Sequence, residues 1–216
     1  MTALLACLAV SMALVGVAEA ADLTVAVRDQ KGEPLPDAVV VAVPGKGVPA
    51  PPARPRRETV DQIDKEFIPY VKAVVVGSPV FFPNKDNIRH HVYSFSPAKT
   101  FELPLYTGTP AHPVVFDRPG VVTIGCNIHD WMIGYIYVAE TPYFGTTGRP
   151  GRARLENLPP GAYAVRVWHP KMDGTEESTV RAITLGSGAV EAAWEVTLRQ
   201  EPRPRRAPLP GQRGYR

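Results

Sequence analysis

Beyond residue 20 the apolar positions fall in short stretches, some alternating with polar residues and some unbroken, and Gly, Pro, Asn or Asp closes each one off. Short runs of this kind, many with a period of two, are the mark of strands. They predict strands over 23–27, 38–43, 70–76, 79–83, 91–96, 114–117, 120–125, 134–138, 152–155, 162–168, 179–185 and 192–198. No helical period runs for more than a couple of turns. Turn residues recurring at about every 8–12 positions point to sandwiches or barrels. The chain is therefore expected to be all-β, built as sandwiches or barrels.

Two interruptions divide the pattern. Over 46–58 the run Val48-Pro49-Ala50-Pro51-Pro52-Ala53-Arg54-Pro55-Arg56-Arg57 cannot form a central strand, because proline lacks the donor a ladder needs. It reads as an extended linker. A second boundary falls near 141–148, rich in Gly and Thr. At the other extreme, Leu4 to Val17 is apolar and leads into Ala18-Glu19-Ala20. That is the form of a secretory signal over 1–20 with cleavage after Ala20, so the protein is expected to be periplasmic or otherwise exported.

Charge changes this picture only at one end. The formal net charge is +3. The signal holds Glu19 and no base, and 201–216 holds Arg203, Arg205, Arg206, Arg213 and Arg216 against Glu201, so the stretch between sums to zero. The basic character belongs to a Pro/Arg tail over 200–216, expected to be disordered, and not to a folded surface for nucleic acid. Such a tail suits peripheral contact with an anionic membrane or a partner.

Removal of the signal takes Cys7 with it and leaves Cys126 as the lone thiol. A lone thiol in an oxidising compartment is prone to oxidation unless it is buried and inert or bound to a metal. The sequence around it favours the metal. Cys126-Asn127-Ile128-His129-Asp130-Trp131-Met132 places a thiolate, an imidazole and a thioether three residues apart, in one short loop between two predicted strands. Soft sulfur donors with imidazole favour copper over hard cations, and two His, one Cys and a distant Met make an electron-transfer copper site. The second imidazole is available upstream at His90-His91, where a strand is expected to begin. Adjacent side chains on a strand point to opposite faces, so one of the pair faces the metal. The residues alone leave open whether His90 or His91 is that ligand. Met132 is either the axial ligand or ordinary core. His112 reads as a loop residue, and His169 as a strand-end residue satisfying a buried hydrogen bond.

The string Asn84-Lys85-Asp86-Asn87-Ile88-Arg89-His90-His91-Val92, followed by Cys126-x-x-His129-x-x-Met132, resembles the cupredoxins plastocyanin and amicyanin. The resemblance implies a Greek-key β-sandwich over 59–141 holding one type 1 copper on His90, Cys126, His129 and Met132. It also implies that the ring edge of His129 reaches the surface beside Ile128, Trp131 and Asp130, where a partner docks. Arg89 stands in place of the family's proline, and His91 in place of the asparagine that braces the loop. The string is similar, too, to exported proteins labelled methylamine utilization protein, a label that concerns a pathway. The flanks, Val25 to Val40 and Gly148 to Val165, resemble the carboxypeptidase regulatory-like, transthyretin-type sandwich. On that resemblance, 21–45 and 144–199 form a split sandwich carrying the copper domain as an insertion.

The function expected is one-electron transfer to or from an exported or membrane-bound redox protein. Copper storage or delivery is the first rival, disfavoured by only four methionines. A non-catalytic carbohydrate- or protein-binding module is the second. Enzyme chemistry is not expected, because four protein ligands close such a site and no phosphate loop, hydrolase triad or His-x-x-x-His pair is present.

Overall fold

The computed structural model describes residues 20–199. The expected signal, except for Ala20, and the basic tail lie outside the described residues. Among the described residues the regular elements are strands and one short 3₁₀ helix, Glu176–Thr179, as the all-β expectation requires.

One sandwich is built from the two ends of the described chain. Its first sheet has the order β14-β1-β17, with β1 Ala21–Asp29, β14 Arg152–Leu158 and β17 Gly188–Val196. Its second has the order β13-β2-β15-β16, with β2 Val39–Pro44, β13 Phe144–Thr146, β15 Gly161–Trp168 and β16 Arg181–Leu185. Alternation decides which face of β1 is core: Ala21, Leu23, Val25 and Val27 are all inaccessible. β1 joins distant parts of the chain, antiparallel to β14 and parallel to β17.

The other sandwich comes from the middle of the chain. A five-stranded sheet runs β6-β12-β11-β8-β9, with β6 Val71–Val75, β8 His90–Ser96, β9 Lys99–Tyr106, β11 Gly120–Cys126 and β12 His129–Ala139. It faces β10-β7-β3, with β3 Glu58–Thr59, β7 Ser78–Phe81 and β10 Val114–Phe116. Phe82, Phe116, Val122, Ile124 and Ile136 fill the space between the two. A hairpin of β4 Asp61–Ile63 and β5 Glu66–Ile68 packs against β12.

The unbroken apolar run in β2 explains how the sandwiches meet. Val40 and Ala42 point into the first core, and Val39 and Val41 point out of it. All four are inaccessible, because Val39 and Val41 pack with Val71, Tyr137 and Ala139 of the second sandwich. Burying both faces is what a strand without polar alternation requires. Arg166 reinforces the junction, with 2.6 Å contacts to Glu140 and Glu176, while Tyr137 donates to Glu176.

The expected strands are found with shifted ends, and β3, β4, β5, β9 and β13 are additional. β9 escapes the pattern because it is an edge strand with Pro104 in it and little buried surface, which is where a ladder tolerates proline. β13 lies inside the expected boundary at 141–148, where Phe144-Gly145-Thr146 pairs with Val41-Val40-Val39.

Candidate metal centre

Cys126 and His129 are cross-strand partners, joined by Asn127 and Ile128 alone. The next pair in the ladder is Gly125 with Ile133, so β11 advances by one residue while β12 advances by four. Asp130, Trp131 and Met132 therefore bulge out of the pairing. This corrects the expectation that Cys126, His129 and Met132 share a free loop. The first two end paired strands, and the third lies in a bulge of β12. Bulging lets a thiol and two residues beyond it turn to one end of the sandwich without breaking the sheet.

β11 lies beside β8, with Gly125 opposite Tyr93. That neighbour brings in His90, at the start of β8. His90 Nδ1 is 3.9 Å and His129 Nδ1 3.8 Å from Cys126 Sγ. The three donor atoms lie within 4.8 Å of one another. Cys126 is 4 % exposed and His90 fully buried, while His129 is half-buried. Met132 is 1 % exposed and packs in the same core cluster as Cys126. His91 points away: its Nε2 is 2.9 Å from Glu102 on the next strand, and its ring lies 5.4 Å from that of Tyr93.

Asn84 and Asp86 hold His90 in place. The Asn84 amide donates to the carbonyls of Ile88 and Tyr106, and its oxygen accepts from the Asp86 amide. This braces the loop that delivers His90 to the strand. Asp86 then accepts from His90 Nε2 at 2.7 Å and from the backbone amides of Asp64 and Lys65. Those two residues form the two-residue turn between β4 and β5 and both have positive φ, the conformation such a turn demands. Burial raises the Asp86 carboxyl, but these donors outweigh it and hold it below the usual carboxylate value. The proton on Nε2 leaves Nδ1 of His90 free to donate its lone pair toward Cys126.

His129 is held below the usual histidine value, mainly by burial and then by its electrostatic interactions with His90 and Lys65. A neutral imidazole is the form that binds metal. Trp131 covers it, with ring centroids 5.2 Å apart.

The donor set fits a metal ion. Sulfur at about 2.3 Å and nitrogen at about 2.0–2.1 Å from one ion, in a trigonal plane, require S···N edges of about 3.7–3.8 Å. The edges found are 3.8 and 3.9 Å. A thiol is a weak hydrogen-bonding group and makes only long contacts to the two rings here, whereas one metal ion accounts for both edges. One thiolate, two imidazoles and a thioether in the same core suit copper.

His112 is exposed in a loop, and neither it nor His169 belongs to the cluster. Sequence reasoning missed Asp86 as a partner of His90, although a carboxylate four residues before a candidate ligand was there to be weighed.

No family model matches the chain, and no curated protein matches it. Among solved structures, the chain is similar to a purple cupredoxin from Nitrosopumilus maritimus, at 21 % identity over 39 % of this chain and all of that one, with a TM-score of 0.34. It is similar to a copper-containing nitrite reductase from Thermus scotoductus at 27 % identity, over 44 % of this chain and 25 % of that one, TM-score 0.37. An amicyanin variant matches at 18 % identity over 38 % of this chain and 82 % of that one, TM-score 0.36.

Proposed function

We propose that the protein is an exported, cupredoxin-like copper protein that carries one electron between redox partners. The observation that carries this reading is the cluster of Cys126, His90 and His129, whose two S···N edges match a trigonal metal site and whose three donor atoms lie within 4.8 Å of one another. Met132, buried in the same core cluster as Cys126, would supply the fourth and weaker ligand.

A copper ion held there would cycle between two oxidation states. The protein's part is to keep the ligands still. Asp86 and the β4–β5 turn fix the His90 ring, and Trp131 covers His129. A rigid ligand set means little rearrangement accompanies each electron. The partner side is the end of the β11–β12 hairpin, where Ile128 is 48 % exposed beside half-buried His129. An apolar tip next to a ligand suits brief docking by an exported or membrane-bound redox protein. The signal-like segment at 1–20 supports export. Four protein ligands would leave no coordination position for a substrate, which favours carriage over catalysis.

The test is to load the full chain with Cu²⁺ and record its visible spectrum. An intense thiolate-to-copper band, absent in Cys126→Ser, is expected. A colourless protein that binds copper no better than Cys126→Ser excludes this function.

A further inference from the structure

Between the two sandwiches lies a cleft of about 460 Å³, within the range of small-ligand sites. Trp131, Ile68 and Glu66 line it from the second sandwich, and Asp37, His169 and Lys171 from the first. One wall is thus the same Trp131 that packs on His129.

Two of the polar groups are uncommitted. His169 is 6 % exposed. Its Nδ1 accepts from the Lys171 amide at 3.1 Å, so the ring proton sits on Nε2. Among the described residues nothing accepts that proton. Burial pushes His169 down to about 4, so the ring is a neutral donor at ordinary pH. Asp37 is half-buried, and its amide donates to the Thr147 carbonyl while its carboxylate has no protein donor among the described residues. Burial raises that carboxyl above the usual value, making it a better proton acceptor.

The charges select the ligand. Carboxylates at Asp37 and Glu66 disfavour an anion, and the Lys171 ammonium beside the His169 donor disfavours a cation. A neutral ring that donates from one oxygen and accepts at another satisfies both sides. Apolar surface at Trp131 and Ile68 suits its faces.

We propose that this cleft binds a hydroxylated aromatic ring of the hydroquinone class, which passes one electron to the metal centre across Trp131 and His129. The inference rests on the copper reading above. One O–H bond of the hydroquinone breaks, its proton goes to the Asp37 carboxylate and its electron reduces oxidised copper. The ring is left oxidised by one electron.

Binding is tested first without metal, on the full-length Cys126→Ser protein, by calorimetric titration with hydroquinone and, separately, glucose. Saturable hydroquinone binding is expected, at least tenfold weaker in Asp37→Asn, and no glucose binding. Asparagine tolerates the positive φ of Asp37, so the fold is kept. Absent saturation, equal affinity in Asp37→Asn, or glucose binding of equal strength overturns the proposal. In the copper-loaded parent chain, reduction by hydroquinone should saturate and slow at least tenfold in Asp37→Asn, with reduction by ferrocyanide unchanged. Equal slowing with both reductants, or none with either, overturns it as well. Failure of the copper reading shows separately, as absence of the visible band.

Discussion

Asp86 Oδ2 lies 2.7 Å from Nε2 of His90, on the side of the ring opposite the nitrogen that faces Cys126. The same carboxylate takes the amides of Asp64 and Lys65. One side chain therefore ties the orientation of a candidate ligand to a turn of a different hairpin. Partners that orient a ligating histidine are worth about 10- to 100-fold in metal affinity. Asp86→Asn keeps the size but turns half of the acceptor into a donor. Its copper affinity, measured against a competing chelator, should fall by about that factor, and its visible band should shift. Unchanged affinity would mean that His90 is held by packing alone.

His90 and His91 are neighbours with opposite surroundings. His90 closes the triangle with Cys126 and His129, and His91 meets Glu102 on β9. His90→Ala should abolish the visible copper band. His91→Ala should keep the band while losing its contact with the exposed Glu102 and its packing on the Tyr93 ring. The reverse result would move the ligand to His91.

What the sequence made legible follows from how local each signal is. Strands such as β1 and β15 announce themselves by alternation, because one face is core and the other solvent. The Cys126 to Met132 spacing is equally local. The bulge that sets Met132 outside the ladder was not legible, because it depends on the register between β11 and β12. Asp86 stands only four residues from His90, but its anchoring by the amides of Asp64 and Lys65, 22 and 21 residues away, depends on the fold. The cleft was further from sight still, because it needs both sandwiches in place.

Arg166 is the hinge of charge at the junction. It stands between Glu140 and Glu176, and Tyr137 donates to Glu176 as well. Arg166→Met leaves two carboxylates close together without a counter-charge. Fully buried pairs broken in this way cost about 3–5 kcal/mol. Arg166 is 23 % exposed on its side chain, so about 1–3 kcal/mol is expected after allowing for screening. Urea unfolding should show that loss, while the visible copper band expected of the loaded protein stays unchanged because Arg166 is not among the residues around Cys126. A loss of the band with Arg166→Met would show that the junction also holds the metal site in shape.

His169 makes stability depend on pH in a defined window. Burial holds it at about 4, against an unfolded value of about 6.5. Between those values the unfolded chain binds a proton that the folded chain refuses, so stability rises with pH across the window. The contribution is complete above about 6.5 and is lost as pH falls toward 4. From about pH 7 to about pH 4.5 this one group costs roughly 2 kcal/mol of folding free energy. His169→Asn cannot take up the proton, and its amide oxygen can still accept from the Lys171 amide as Nδ1 does now. Urea unfolding at the two pH values should therefore show the parent losing roughly 2 kcal/mol more than the variant on acidification. Parallel losses would mean that His169 is protonated in the folded protein. The imidazole would then reach solvent freely, and its Nε2–H would be an ordinary surface donor.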